Sequence, residues 1–378
     1  MENVLGQHES SSHAVSDAEL LLACLRGQPF DVPGDIAWQP LLELAEGHRV
    51  LAFVEQSFLE RYIEIPDFFT AAVQTHRETA ARHAQELKLL LKEFARHNVE
   101  VLPLKGPALA EALYADATMR SCDDLDLLVR HRDFLKAEGI LVNRGFVARP
   151  SSDDYHRKFL LDDLLVELHF GVASPRSFHF DLDGVWDRVR KEKFRDVSML
   201  AMSDKDLVLF LCLHGLKHGF SRLIWIMDFA YALAKLPYGG FEELLQSARQ
   251  EGLEQPLLIA CEIAGEALPQ LVSAEVEATI AASPEARAKA HQAVERLFAE
   301  RSGANNDPEI WGFYLRTEPG ARQRWHRRLS FLKPTVEDYA WAERHRIHRG
   351  FAPVLRPFRL VQKYGPSRAW RILFPPGI

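Results

Sequence analysis

The chain lacks any uninterrupted apolar stretch of about 18 residues, the length that spans a bilayer core, so no membrane-crossing helix is expected. Its start, MENVLGQHESSSHAV, lacks a basic region followed by an apolar core. No secretory leader is expected there, and segment 1–15 reads as a frayed polar tail. Cysteine is scarce: Cys24, Cys122, Cys212 and Cys261 are far apart and form no CxxC pair. Each has apolar neighbours, which points to buried reduced thiols in a cytoplasmic protein rather than to a disulfide scaffold or a zinc ribbon. No internal repeat is present. The HExxH signature of zinc hydrolases is also missing.

What is present is an ordinary globular composition, 47% hydrophobic and 26% charged over 378 residues, enough for two or three domains. The net charge of −7 hides an asymmetry. Residues 322–378 carry +10, so residues 1–321 carry −17. A basic tail suits nucleic-acid phosphates or an acidic partner, or else a solvated helical face packed on an acidic body. Trp325, Trp341 and Trp370 stand among its arginines, placed to stack on bases or to anchor packed helices. Nucleic-acid contact, if any, is expected through 322–371.

Periodicity divides the chain. Residues 16–97 read as an N-terminal helical region, with Ser16 as a cap and Gly27 as a stop for the first helix. The longest helix is expected over about 67–97, with Phe68, Ala72, Leu87, Leu90, Leu91 and Phe94 as its stripe. Residues 98–200 then alternate between strands and helices. VEVLPLKG (99–106), DDLDLLVR (123–130) and DDLLVELHF (162–170) are strands, with shorter ones near 146–149 and 157–161. PALAEALYAD (107–116) is a helix with Pro107 at its first position, and RDFLKAEGILVNRGF (132–146) starts another that ends near Gly145. Residues 201–320 are helical again, with a Ser203–Asp206 cap signal and one Ala/Glu-rich helix over 274–300. The segment 302–309 reads as a loop. The basic segment 321–378 reads as helical and irregular, with a proline-rich end. The fold class is α+β: a small mixed sheet flanked by helical regions.

The chemistry concentrates at 101–129. Asp124 and Asp126 are two apart on a strand, so both project from one face while Leu125 turns into the core. Two crowded carboxylates stay ionised only beside a cation, and Mg²⁺ prefers oxygen donors. Glu167, flanked by apolar residues on another strand, completes a three-carboxylate cage for one or two divalent ions, or else faces water from an edge strand. Asp123 should point away from the pair. Arg120 either clamps a phosphate through its planar fork or pairs with Asp123 or Asp124. His169 shares the face of Glu167 and is a candidate for a phosphate or metal contact. His214 and His218 share one helix face, but with no third ligand nearby they do not make a zinc site. Trp225 is placed for core packing or base stacking. No base is placed beside Cys122 in the motif, which leaves it a structural thiol.

In order, LKGPALAEALY, MRSCDDLDLLV, VELHF and HGLKHGFSRLIWIMDFAYAL resemble the bacterial nucleotidyltransferase-family proteins of the polymerase-beta-like superfamily. The likeness spans roughly 40–235 and, more weakly, VLRPFRL (354–360). It implies a Mg²⁺-dependent transferase (Mn²⁺ being the alternative ion) that moves a nucleoside monophosphate from an NTP to a small molecule, a protein or an RNA end. By resemblance, Asp124 and Asp126 hold the metal, and Glu167 supplies the third carboxylate, often the base. Gly106 admits the triphosphate to the N-terminus of helix 107–116, and Lys105 neutralises phosphate charge. His214, His218 and Arg222 face the triphosphate or acceptor. Asp228 orients a histidine or pairs with an arginine. His48-Arg49 is limited to packing or a remote cleft contact. The superfamily's Gly-Ser turn is replaced here by Lys105-Gly106-Pro107. A catalytically silent nucleotide- or partner-binding module on the same fold is therefore the competing reading.

Overall fold

The computed structural model describes residues 16–150 (31 and 33 apart), 155–172, 180–299 and, in part, 338–370. The tail 1–15, the loop 302–309, Trp325 and most of the basic segment lie outside the described residues.

Helix α1 (Asp17–Arg26) opens on Ser16 in a reciprocal capping box with Glu19 and stops at Gly27 in the left-handed conformation. Helices α2 (Trp38–Gly47), α3 (Leu51–Leu59) and α4 (Asp67–Arg96) follow. The stripe of α4 is offset from the one expected. Phe69 is buried and Phe68 is 45% exposed. Phe69 lies 18 residues before Leu87, five full turns of helix, so it shares the buried face of Leu87, and Phe68 does not.

Strands β1 (Val101–Pro103), β2 (Asp124–Val129), β3 (Val147–Arg149), β4 (His156–Leu161) and β5 (Leu164–His169) form one mixed sheet in the order β1-β2-β5-β4-β3. Only β2 and β5 pair in parallel. Helix α5 (Pro107–Tyr114) links β1 to β2, and α6 (Phe134–Asn143) links β2 to β3. After α7 (Leu182–Asp187) comes a hairpin of β6 (Arg190–Phe194) and β7 (Val197–Ala201) that the sequence reading misses. Strand β6 reads RKEKF and buries only Phe194 fully, so it carries almost no apolar alternation.

Helices α8 (Asp204–Lys217), α9 (Leu223–Ala234), α10 (Gly240–Glu251) and α11 (Glu254–Ala267) build the C-terminal bundle. Helix α8 is buried nearly all round. A Cβ at Gly215 would lie 2.1 Å from a ring carbon of Phe220, so only glycine lets that ring pack on α8. The single helix expected over 274–300 is two, α12 (Ala274–Ile280) and α13 (Pro284–Ala299). Pro284 has no N–H to continue the ladder. The basic segment, read as helical and irregular, contains the helix Ala352–Tyr364 with Pro357 inside it. Arg356 and Arg359 both bind the buried carboxylate of Asp338 and hold that helix in place. Trp341 stacks on His345 at 4.1 Å, whereas Trp370 is exposed.

The sheet separates two cores. Leu125, Leu127 and Val129 of β2 pack with Ala84–Phe94 of α4 and with α6. Leu128 faces the other core, shared by α1–α3, α5 and α8–α13, and the same face carries Asp124 and Asp126. Helix α4 contributes Phe69 and Val73 to that second core, so it ties the two together.

His48 joins the N-terminal helices to the bundle. Its Nδ1 accepts from the Leu223 N–H (3.4 Å) and its carbonyl accepts from the Ile224 N–H (3.3 Å). Burial, reinforced by Arg222, lowers the imidazole from 6.5 to about 4. Between those values the unfolded chain takes a proton that the folded chain refuses, so stability falls as pH drops through that window. Urea titrations at stepwise pH should show this acid loss. His48→Gln should remove up to ~3 kcal/mol of it, the equivalent of the shift.

Candidate active site

The chain leaves β1 through Leu104, whose N–H donates to the Asp126 carbonyl (2.9 Å), and then turns at Gly106 into α5. Gly106 has φ 72° and ψ −144°, a conformation that side chains rarely adopt. A Cβ there would point at Asp124, Leu125 and Cys122 in ordinary contact. The backbone angle is therefore what demands glycine. Lys105 projects from this turn onto the sheet, and its Nζ lies 2.9 Å from Asp126 Oδ2.

Parallel pairing sets Asp126 directly beside Glu167. Asp124, Asp126 and Glu167 bring oxygens to within 4.8 Å of one another. Each carboxylate is treated differently. Asp126 accepts from Lys105 and from His169 Nε2 (3.0 Å), and these two outweigh burial and hold it well below the usual carboxylate range. For Glu167, burial is outweighed by bonds to His169 and Lys158 and by the charge of His156, which hold it at about 2. Asp124 has no hydrogen bond or ion pair among the described residues, and burial, with Asp126 beside it, pushes its carboxyl up to about 6. Lys105, His169 and Lys158 are all engaged by Asp126 and Glu167, and the Asp124 carboxylate is left without a direct partner among the described residues. Three hard oxygen donors with one of them unpaired fit a divalent cation.

His169 is fixed at both ring nitrogens. Nδ1 donates to the Gly171 carbonyl (3.2 Å), and Nε2 faces Asp126 Oδ1. His214 and His218, at the end of α8, lie with ring centroids 4.8 Å apart, against Trp225 at 5.6 and 4.8 Å. The Arg222 guanidinium covers the same indole at 5.2 Å. Burial keeps both histidines neutral, and the nearby Lys105 and Lys217 charges push the same way. His214 Nε2 is buried with no hydrogen-bond partner among the described residues. The Trp225 indole, about nine-tenths buried, is thus a packing surface for the two imidazoles.

The profile of the uncharacterised-nucleotidyltransferase family matches residues 34–269. The chain belongs to that nucleotidyltransferase family. No curated protein matches it. Two solved structures are similar. The solution structure of the antibiotic-resistance factor ANT(2'')-Ia shares 13% identity and covers 45% of this chain and 92% of that one, with a TM-score of 0.36. The crystal structure of ANT(2'')-Ia with adenylyl-2''-tobramycin shares 14% identity and covers 45% of this chain and 98% of that one, with a TM-score of 0.35. Among the described residues, no helix of this nucleotidyltransferase-family protein is long and apolar enough to cross a membrane.

Arg120 lies elsewhere than the sequence suggests, and Asp228 takes the arginine pairing that the sequence left open. The sequence reading puts Arg120 on a phosphate or on Asp123 or Asp124, and Asp228 beside a histidine or an arginine. In the structure the two bind each other in the interior: Arg120 Nε and Nη2 are each 2.9 Å from Asp228 Oδ2, and the Tyr114 hydroxyl donates to Oδ1 (2.8 Å). Asp123 points away from the pair, as expected, and takes the Arg49 guanidinium. All four cysteines are free and buried, and burial pushes the Cys122 thiol up to about 12, far from a nucleophile.

Two residues on the acidic face are missing from the sequence reading: His156, opposite His169, and Lys158, opposite Glu167. Their signal was available. LLDDLL forms a hairpin with the two-residue turn Asp162-Asp163, and Asp162 has φ 51°. A two-residue turn fixes the register of both strands.

Breaking a buried ion pair from one side strands the other charge. Arg120→Met should therefore cost about 3–5 kcal/mol in urea unfolding, and adding Asp228→Leu should return most of it. An Arg120 that served only to bind phosphate would leave stability unchanged.

Proposed function

We propose that the protein transfers a nucleoside monophosphate from an NTP to an acceptor hydroxyl or phosphate, with Mg²⁺ held by Asp124, Asp126 and Glu167. The observation that carries this reading is Asp124: a carboxylate on a crowded acidic face, without a direct protein partner among the described residues and pushed upward by burial and by Asp126 beside it. In the reaction the acceptor oxygen bonds the α-phosphorus, its proton is released, and the bond to the departing pyrophosphate breaks. Mg²⁺ at the three carboxylates would supply charge neutralisation for the triphosphate and the leaving group.

The chain's own residues do the rest. Gly106 and the first turn of α5 present backbone N–H groups beside the acidic face, where a phosphate is favoured. Lys105, now on Asp126, is within reach of a phosphate oxygen in the same space. His214 and His218 lie close enough to Lys105 for its charge to act on both imidazoles, and with Arg222 they would meet the triphosphate or acceptor from the helical side. Glu167, ionised down to about 2, holds a proton too weakly for efficient general-base work and suits ligation and charge placement instead. Arg120 and Asp228 act as positioning residues that fix α9 behind the site.

Two observations favour the silent-module reading. Lys105 and His169 already occupy Asp126, and the phosphate-binding serine of the superfamily turn is absent. In that reading the protein binds NTP without transferring it.

The two readings separate with labelled NTPs, Mg²⁺ and a cell extract. Transfer should occur and should be abolished by Asp124→Asn. Because burial penalises the Asp124 charge, the same substitution should leave the melting temperature of the metal-free protein unchanged or raised. Binding of NTP without transfer selects the silent module, and failure to bind any NTP with Mg²⁺ overturns both.

A further inference from the structure

The acidic face has a nitrogen-rich flank that the three-carboxylate cage does not use. His156 and His169 are directly opposed on β4 and β5, with ring centroids 4.8 Å apart, and both are buried. Glu167 lies between them. Its Oε1 takes Lys158 at 2.8 Å, while its Oε2 lies 3.6 Å from His156 Nε2 and 3.5 Å from His169 Nε2. The three residues bring ligand atoms to within 4.8 Å of one another.

We propose that His156, His169 and Glu167 form a second metal position, selective for a transition ion of the Zn²⁺ class and sharing Glu167 with the carboxylate cage. Imidazole nitrogen favours Zn²⁺, Fe²⁺, Co²⁺ or Ni²⁺ over Mg²⁺, which takes oxygen. The spacing agrees. Zinc–donor bonds of about 2.0–2.1 Å place neighbouring donors of a tetrahedron about 3.3 Å apart, within a few tenths of an ångström of both Glu167–imidazole distances. Asp126 Oδ1, 3.0 Å from His169 Nε2, is at hand for the fourth position. His169 already has the outer contact typical of a metal-bound imidazole. Its Nδ1 donates to the Gly171 carbonyl, which turns Nε2 toward the two carboxylates. Two acceptor oxygens facing one ring nitrogen make that point attractive to any cation. The inference does not depend on nucleotide transfer.

The test uses the full chain, stripped of metal, with Zn²⁺ or Co²⁺ alone and no nucleotide. Equilibrium dialysis should show one tightly held ion per chain that excess Mg²⁺ does not displace. X-ray absorption at the zinc edge should show imidazole in its shell. His156→Gln should weaken binding by roughly tenfold or more, since even an outer partner of a ligand is worth that much. Asp124→Asn should weaken Zn²⁺ binding far less than His156→Gln does. Binding that His156→Gln does not alter, complete displacement by Mg²⁺, or a zinc shell of oxygen alone overturns the proposal. If His156→Gln does not fold, the absorption spectrum of the unaltered protein decides by itself.

Discussion

Crowding of negative charge on one face of the sheet is the constraint around which the rest is arranged. Asp124, Asp126 and Glu167 converge within a few ångströms in a region largely closed to water, where unscreened like charges are costly. The chain answers with Lys105 on Asp126, His169 between Asp126 and Glu167, and Lys158 and His156 on Glu167. Compensation stops short at Asp124, and the uncompensated charge marks where an exogenous cation would be most stabilised. The site is built to be incomplete.

The architecture makes that arrangement stable. One face of the sheet is closed by α4 and α6 with an ordinary apolar core, so the strands stay in register whatever happens on the opposite face. The opposite face meets the helical bundle, whose central helices are apolar nearly all round and supply a rigid wall. Two deep carboxylates in that wall are paired: Asp228 has Arg120 and Tyr114, and Asp206 at the start of α8 has Arg188 and Ser203. His214 and His218, packed on Trp225 and kept neutral, line the wall nearest Lys105 without adding charge.

Much of this was legible from residue order. The Asp-Leu-Asp alternation on an apolar run placed two carboxylates on one face, and the VEL context marked Glu167 as a carboxylate with a reason to be buried. Capping at Ser16 and Ser203 is local chemistry and reads directly. Other features were not legible, each for its own reason. In the β6–β7 hairpin, β6 buries only Phe194 fully, and the alternation of β7 (Val197, Met199) is too short to announce a strand. Phe68 and Phe69 are both apolar, and only the phase of a 30-residue helix chooses between them. Arg120 and Asp228 are 108 positions apart, and nothing local says that they meet.

The sequence by itself determined the α+β class, the order of its helical and sheet regions, and the identity of the three acidic groups, because helix and strand periods and turn chemistry act over a few residues. Only the tertiary structure decided which cation each carboxylate receives, that Asp124 receives none among the described residues, and that two histidines flank Glu167. Charge compensation depends on distances of a few ångströms between strands and helices far apart in the chain. Those distances exist only once the sheet has paired and the bundle has closed over it.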